Sequence, residues 1–180
     1  PEEDIEVINT ELQLADLQTL ENGINRVSRL AKSGNKEEIA RMEYLESLQA
    51  HIDEGQPART FATPDDYADT LRDLHLLTMK PVLYIANVDE EGFEGNPHLD
   101  AVHRIAELES AELVVICNKL EAEIAELDDE ERAEFLSDLG MEAPGLDRVI
   151  QAGYRLLGLQ TYFTAGPKEA RAWTIRSGVS

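Results

Sequence analysis

The chain has 180 residues, of which 42% are hydrophobic and only 6% aromatic, and its formal net charge is −21. This composition excludes wholesale disorder and predicts a globular protein with an aliphatic core. The negative charge also excludes free DNA or RNA as a partner of the surface as a whole, because phosphate binding needs a cationic face. A local basic patch remains compatible with it.

The single cysteine, Cys117, excludes an internal disulfide and a cysteine-rich zinc site, and it suits the reducing cytoplasm. No apolar run reaches the roughly 18–20 residues that a membrane span needs, so no membrane partner is expected. The four histidines form no HExxH motif and no Cys/His cluster, and no metal site is predicted from them.

The first third of the chain predicts two amphipathic helices joined by a short turn. Apolar residues recur in steps of three and four over 5–31 and again over 39–52. Between these stretches, Ser33-Gly34-Asn35 favours the left-handed backbone that ends helices. We therefore expect an antiparallel, coiled-coil-like helical hairpin, followed by a linker at 56–59.

The middle of the chain changes from helix to strand character. Residues 63–77 predict a helix whose N-terminus Thr63 caps. Residues 81–86 and 111–117 are continuous apolar runs of strand length, and 96–108 between them has a helical pattern. Strands that are apolar on both faces are typical of a parallel sheet covered by helices, so the expected fold class is α/β.

The last third predicts two more helices and a β-hairpin. Helices are expected at 128–140 and 146–157, and strands at 159–164 and 170–175 around a turn at 166–168. Two strands seldom make a stable sheet alone, since independent stability usually needs three or more. The chain is therefore expected to be a fragment, unless its own helices cover both sheets.

Polar residues follow each of the two predicted parallel strands, where such sheets bind ligands. Asn87, Val88 and Glu90 follow the first strand, and Asn118 and Lys119 follow the second. An asparagine amide can donate to and accept from a purine edge, and a carboxylate accepts from ring N–H and amino donors. The pattern resembles the Asn-Lys-x-Asp base-reading motif of GTP-binding proteins, while the alternative is an ordinary turn asparagine.

Longer strings carry a more specific resemblance. These strings are DIEVINTELQLADLQTLE (4–21), EGQPARTF (54–61), LHLLTMKPVLYIANVDE (74–90), NKLEAEIAEL (118–127) and PGLDRVIQAGYRLLGLQTYFTAGPKEARAWTI (144–175). In this order they resemble the YchF family, the Obg-like P-loop ATPases. The plan of that family is a P-loop nucleotide-binding domain, interrupted by a helical coiled-coil insertion and followed by a TGS domain.

The resemblance implies how this chain is organised. Residues 1–78 would be the helical domain with its antiparallel coiled-coil hairpin, 79–157 the second half of the nucleotide-binding domain, and 158–180 the start of the β-rich TGS domain. The sequence contains no GxxxxGK[ST] motif, so the phosphate-binding loop and the Mg²⁺ ligands are expected before Pro1. Such an internal fragment is not expected to hydrolyse ATP alone.

The resemblance also implies roles for the residues at the strand ends. Asn87, Val88, Glu90, Asn118 and Lys119 would bind the nucleotide base, with Val88 packing against it and offering main-chain groups. The departure from the guanine pattern goes with ATP use in this family, so the full-length protein should prefer ATP over GTP and use Mg²⁺. It would be a cytoplasmic, ribosome-associated ATP hydrolase with catalytic residues outside this chain. The alternative is a non-enzymatic module that docks on a ribosome or protein partner.

Basic residues cluster where the helical hairpin should turn. Five of the 16 basic residues lie there: Arg26, Arg29, Lys32, Lys36 and Arg41. They would form a local cationic finger for ribosomal RNA or a solvated helix surface with ion pairs, and the resemblance favours RNA.

Cys117 lies at the end of the second predicted strand. One interpretation is an inert core thiol. The other is a redox sensor, which the link of the family to redox regulation suggests and which needs an exposed thiol with a lowered pKa.

Overall fold

The structure, a computed structural model, describes residues 1–32 and 34–178. The chain divides into two compact units, Glu2–Pro81 and a second unit that begins at Val82. Ser33 of the predicted turn and the last two residues of the predicted TGS segment lie outside the described residues. None of the helices in the described ranges combines the length and apolar character that crossing a membrane requires.

The first unit contains the predicted helical hairpin. Helix α1, Glu2–Ala31, packs against helix α2, Lys36–Asp53. The side-chain amide of Gln13, early in α1, donates to the Gly55 carbonyl just beyond α2 at 2.8 Å, as antiparallel helices require. Asn35 caps α2 by accepting a hydrogen bond from a backbone N–H of the first turn. The helical hairpin is therefore confirmed.

The segment after the hairpin contains less α-helix than the sequence predicts. A 3₁₀ turn at Ala58–Thr60 occupies the predicted linker, and a second at Asp65–Tyr67 leads into α3, Ala68–Leu74. The prediction that Thr63 caps this helix is wrong, because its hydroxyl bonds to groups outside the helix. The helix also ends earlier than predicted, since His75 adopts a left-handed φ of 51°.

The core of the first unit is aliphatic, as the composition predicts. Its buried members are Leu20, Leu45, Leu48, Ile52, Ala58, Leu71 and Leu76. One carboxylate is buried as well, since Asp16 in α1 is only 1% exposed. Asp16 accepts hydrogen bonds from the backbone N–H groups of Leu77 and Thr78 and from the Thr78 hydroxyl. These bonds hold α1 against the segment that precedes the second unit.

The second unit begins with the predicted strand–helix–strand motif. Strands β1, Leu83–Asn87, and β2, Glu112–Ile116, are parallel, with Asn87 opposite Ile116. Helix α4, Pro97–Leu108, connects them and packs on both. The predicted parallel pair and the α/β fold class are confirmed, and the register brings the carboxyl ends of both strands side by side.

A helix that the sequence pattern does not predict follows β2. The sequence pattern predicts no helix between 117 and 128, but residues 118–119 form the first turn of α5, Asn118–Glu126. The signal for this helix lies in Leu120 and Ile124, which are spaced by one turn and are both buried.

Two predicted helices and the predicted hairpin complete the described chain. Helix α6 is Asp129–Asp138, and α7, Gly145–Leu156, packs on β1 and β2. Gly158, with a left-handed φ of 60°, then turns the chain into β3. Strands β3, Leu159–Ala165, and β4, Ala170–Arg176, pair antiparallel, which confirms the hairpin.

Candidate functional site

The carboxyl ends of β1 and β2 bring the predicted base-binding residues together. The side-chain oxygen of Asn87 accepts a hydrogen bond from the Asn118 backbone N–H at 3.0 Å. The Lys119 ammonium group donates to the Glu90 carboxylate at 2.6 Å. Two polar contacts therefore join the loop after β1 to the first turn of α5.

Val88, which lies between Asn87 and Glu90 in the motif, is joined to the neighbouring strand through its backbone. Its backbone N–H donates to the Ile116 carbonyl at 2.8 Å, which extends the strand pairing by one residue. The backbone N–H of Val88 is therefore used by the fold and is not a free donor for a ligand.

A cavity of about 700 Å³ opens beside these contacts. All five predicted base-binding residues line it, together with Cys117 and most of the loop between β1 and α4. Among the described residues, the lining includes one cation, Lys119, and four carboxylates: Asp89, Glu90, Glu91 and Glu94. The side chains that line the cavity therefore carry a net negative charge.

The wall formed by the β1–α4 loop is a compact turn that sequence reasoning did not single out. A Cβ at Gly92 would lie 3.1 Å from the Val88 Cβ, so only glycine fits without a shift. The Gly92 N–H donates to the Asp89 carbonyl at 2.9 Å. Asn96 donates to the Gly92 carbonyl and also caps α4 by accepting from the His98 N–H at 3.0 Å. The Asn-Pro pair that predicted the start of α4 was the available signal.

The contact between Lys119 and Glu90 has an electrostatic signature. The pKa of Lys119 is raised above its ordinary value, first by the hydrogen bond to Glu90 and next by the attraction of that carboxylate. The side chains are 72% and 47% exposed, respectively, so solvent screens the pair. The Glu90 carboxylate is nevertheless engaged by a short hydrogen bond from Lys119.

Cys117 is 3% exposed and immediately precedes α5. Burial is typical of a core thiol, whereas a redox sensor needs access to its oxidant. The redox role stays a prediction.

The basic cluster lies around the turn between α1 and α2. Arg41 is half-buried and pairs with Glu38 at 3.1 Å. Four members are exposed and form no ion pair within the described ranges: Arg26, Arg29, Lys32 and Lys36. The hairpin turn thus carries a positive surface on a strongly acidic chain.

Known proteins align with the chain along its whole length. The Ribosome-binding ATPase YchF of Escherichia coli O157:H7 is 53% identical over 180 residues, which is 100% of this chain and 50% of that protein. The protein of the same name from Bacillus subtilis (strain 168) is 46% identical over 182 residues, covering 99% of this chain and 50% of its own length. No family model matches the chain.

A solved structure shows the same fold. The structure of the Schizosaccharomyces pombe YchF GTPase matches with a TM-score of 0.88 at 26% identity, covering 99% of this chain and 50% of the yeast chain. The chain spans about half the length of the curated relatives it matches. On its sequence identity to these relatives and on its fold, the chain belongs to the YchF family.

Proposed function

We propose that this chain supplies base recognition to a ribosome-associated nucleotide-binding ATPase of YchF type, with ATP preferred over GTP. The observation that carries the proposal is the pair of contacts, Asn87 with Asn118 and Glu90 with Lys119, beside one cavity. The class of activity is supported by the names of the relatives, which are Ribosome-binding ATPase for the bacterial proteins and YchF GTPase for the yeast protein.

Asn87 suits a purine base. Its side-chain oxygen is engaged by the Asn118 N–H, which leaves the NH₂ group as a donor. The N7 atom of a purine is an acceptor that adenine and guanine share. Asn87 therefore supports purine binding without choosing between the two bases.

Glu90 supports the preference for adenine. Guanine presents ring N–H and amino donors that need a carboxylate acceptor. The Glu90 carboxylate already accepts from Lys119 at 2.6 Å, so guanine would compete with an ammonium group for it. The corresponding edge of adenine presents an amino donor beside a ring acceptor. Adenine therefore does not need a carboxylate that accepts from both positions.

The charge of the cavity determines which end of the nucleotide it can accept. Four carboxylates line it, and they repel a triphosphate but not a neutral base. In the described part of the chain, no three His, Cys, Asp or Glu side chains lie close enough to hold a metal ion. In our proposal, residues outside this chain hold the phosphates and Mg²⁺ and carry out hydrolysis in the cytoplasm, and this chain alone is inactive.

Asn87→Ala in the natural full-length protein tests base recognition. Loss of about 1–1.5 kcal/mol of hydrogen bonding should raise the Kd for ATP about tenfold. The Kd for tripolyphosphate, which has no base, should stay unchanged. Asn22→Ala, at an exposed position of α1, is the matched control. An unchanged Kd for ATP in Asn87→Ala would contradict the proposal.

The exposed cations at the hairpin turn favour docking on ribosomal RNA as a second function of the chain. Each phosphate contact releases counterions and contributes about −0.9 to the slope of log K against log salt. Replacing Arg26, Arg29 and Lys32 together by Gln should therefore make the slope for ribosome binding shallower by about two to three. A control with the same charge change replaces Lys168, Arg171 and Arg176. Ribosome binding that salt does not affect would contradict this function.

A further inference from the structure

The N-terminus of α7 is capped by a side chain from another helix. Pro144, at the capping position in the sequence, makes no side-chain cap. Instead, the Glu121 carboxylate in α5 accepts from the Gly145 N–H at 2.7 Å and from the Leu146 N–H at 3.1 Å. A carboxylate there satisfies amides that have no partner within the helix and is attracted by the helix dipole. Sequence reasoning did not identify this role.

The contact between Glu121 and Gly145 leaves no room for a Cβ at position 145 unless a neighbouring side chain shifts. Gly145 is buried, and a Cβ there would lie 2.6 Å from the Glu121 Oε1 and 2.9 Å from the Ile116 Cγ2. Ile116 is the last residue of β2. Glycine therefore allows α7 to begin in contact with both α5 and the end of the strand that leads to the candidate site.

The position of α7 is itself fixed against β2. The Arg148 guanidinium donates to the Val115 carbonyl at 3.0 Å, and Arg155 pairs with Glu112. Ala152, between the two arginines, is 0% exposed. Because α7 contacts β2 along its length, the sheet determines the position of the α7 N-terminus to which Glu121 bonds.

Glu121 lies three residues after Asn118, on the first turn of α5. We propose that Glu121 is a positioning residue for nucleotide-base binding, which it supports by bonding to the fixed start of α7. The two bonds hold the first turn of α5 where the Asn118 N–H reaches Asn87 and Lys119 reaches Glu90. The inference rests on the proposed base site.

The test compares two ligands in the natural full-length protein. Glu121→Ala should raise the Kd for ATP about tenfold and leave the Kd for tripolyphosphate unchanged. Gly145→Ala, which displaces the carboxylate from the other side of the contact, should give the same pattern. Loss of folded protein would lower the number of sites for both ligands without changing the ratio of their Kd values. Glu126→Ala, at an exposed position of the same helix, is the matched control.

The outcomes separate this inference from the proposed function. A Kd for ATP within twofold of the parent value in both variants, with Asn87→Ala still raising it, would overturn the positioning role alone. No effect of Asn87→Ala would overturn the base site and this inference with it. Should Glu121→Ala fail to fold, Glu121→Gln keeps an acceptor for one amide, and we expect a three- to fivefold rise in the Kd for ATP. An unchanged Kd in that variant overturns the positioning role equally.

Discussion

Replacing the buried carboxylate of Asp16 removes the acceptor on which three donors converge. Its two oxygens lie 2.6 Å from the Leu77 nitrogen, 2.8 Å from the Thr78 nitrogen and 2.7 Å from the Thr78 hydroxyl. These distances are typical of charge-assisted hydrogen bonds. Asp16→Ala would leave both Thr78 donors without this acceptor, and Thr78 is only 4% exposed.

The size of the effect follows from the number of buried donors. A hydrogen bond to a charged group contributes about 1.5–3 kcal/mol, and a buried donor without an acceptor costs about 1–3 kcal/mol. Leu77 is 38% exposed, so water can reach its segment in the variant. Relief of the desolvation cost of the carboxylate offsets part of the loss. We therefore expect Asp16→Ala to lower the free energy of unfolding by about 3–5 kcal/mol.

Urea unfolding followed by far-UV circular dichroism measures this loss. Glu11→Ala, an exposed acid in the same helix, is the control and should change the free energy of unfolding by less than about 0.5 kcal/mol. Thr78→Val should cost about 1–3 kcal/mol, because it also leaves the Ala58 N–H without its acceptor at 2.9 Å. A loss below about 1 kcal/mol in Asp16→Ala would refute the reasoning, since the donors would then have found other partners.

Three further predictions concern the second unit. Gly145→Ala should destabilise the chain by about 1–3 kcal/mol through overpacking. Gly153→Ala, in the same helix, should instead stabilise the chain by about 0.5–1 kcal/mol, because nothing lies within 4 Å of the added Cβ. The same urea assay measures both variants. Equal effects of the two variants on the free energy of unfolding would contradict the close packing at Gly145. Asp128→Ala should cost about 1 kcal/mol by removing the capping box of α6, and no loss in thermal unfolding would refute that cap. Because the pKa of Lys119 is raised in the folded chain, its pair with Glu90 stabilises the fold below pH 10.5 and is lost as the pH rises through the raised pKa. Glu90→Gln should return that pKa toward 10.5 in an NMR titration of the lysine side chain, and an unmoved pKa would contradict the pairing.

The parts of the fold that the sequence predicts are those whose signal lies within one segment. The apolar runs 81–86 and 111–117 become β1 and β2 with shifts of one or two residues, and the Asn-Pro pair at 96–97 opens α4. A rule about parallel sheets then suffices to place Asn87 and Asn118 together, because the carboxyl ends of neighbouring strands meet. The candidate site is predictable from the sequence to that extent.

The errors come from competition between segments. Thr63 has the residue type of a helix cap, but its hydroxyl meets the Tyr44 hydroxyl at 3.2 Å from another helix, which no local pattern shows. His75 ends α3 with a left-handed backbone that histidine seldom adopts. Helix α5 escapes prediction because the polar pair 118–119 has the character of a ligand loop, although it also begins a helix.

Three long-range contacts share one kind of hydrogen bond, from a backbone N–H to a side-chain oxygen. Asp16, Asn87 and Glu121 each offer a side-chain oxygen to a backbone N–H that lies 62, 31 and 24 residues away, respectively. Each accepted N–H stands near the beginning of a segment or helix, so the contact determines where that segment starts. In the second unit, β1 pairs only with β2 among the described strands. A two-stranded sheet is only marginally stable by itself and does little to determine the positions of neighbouring helices. The start of α5 therefore depends on side chains, and changes at Asn87 or Glu121 should alter ligand binding more than helix content.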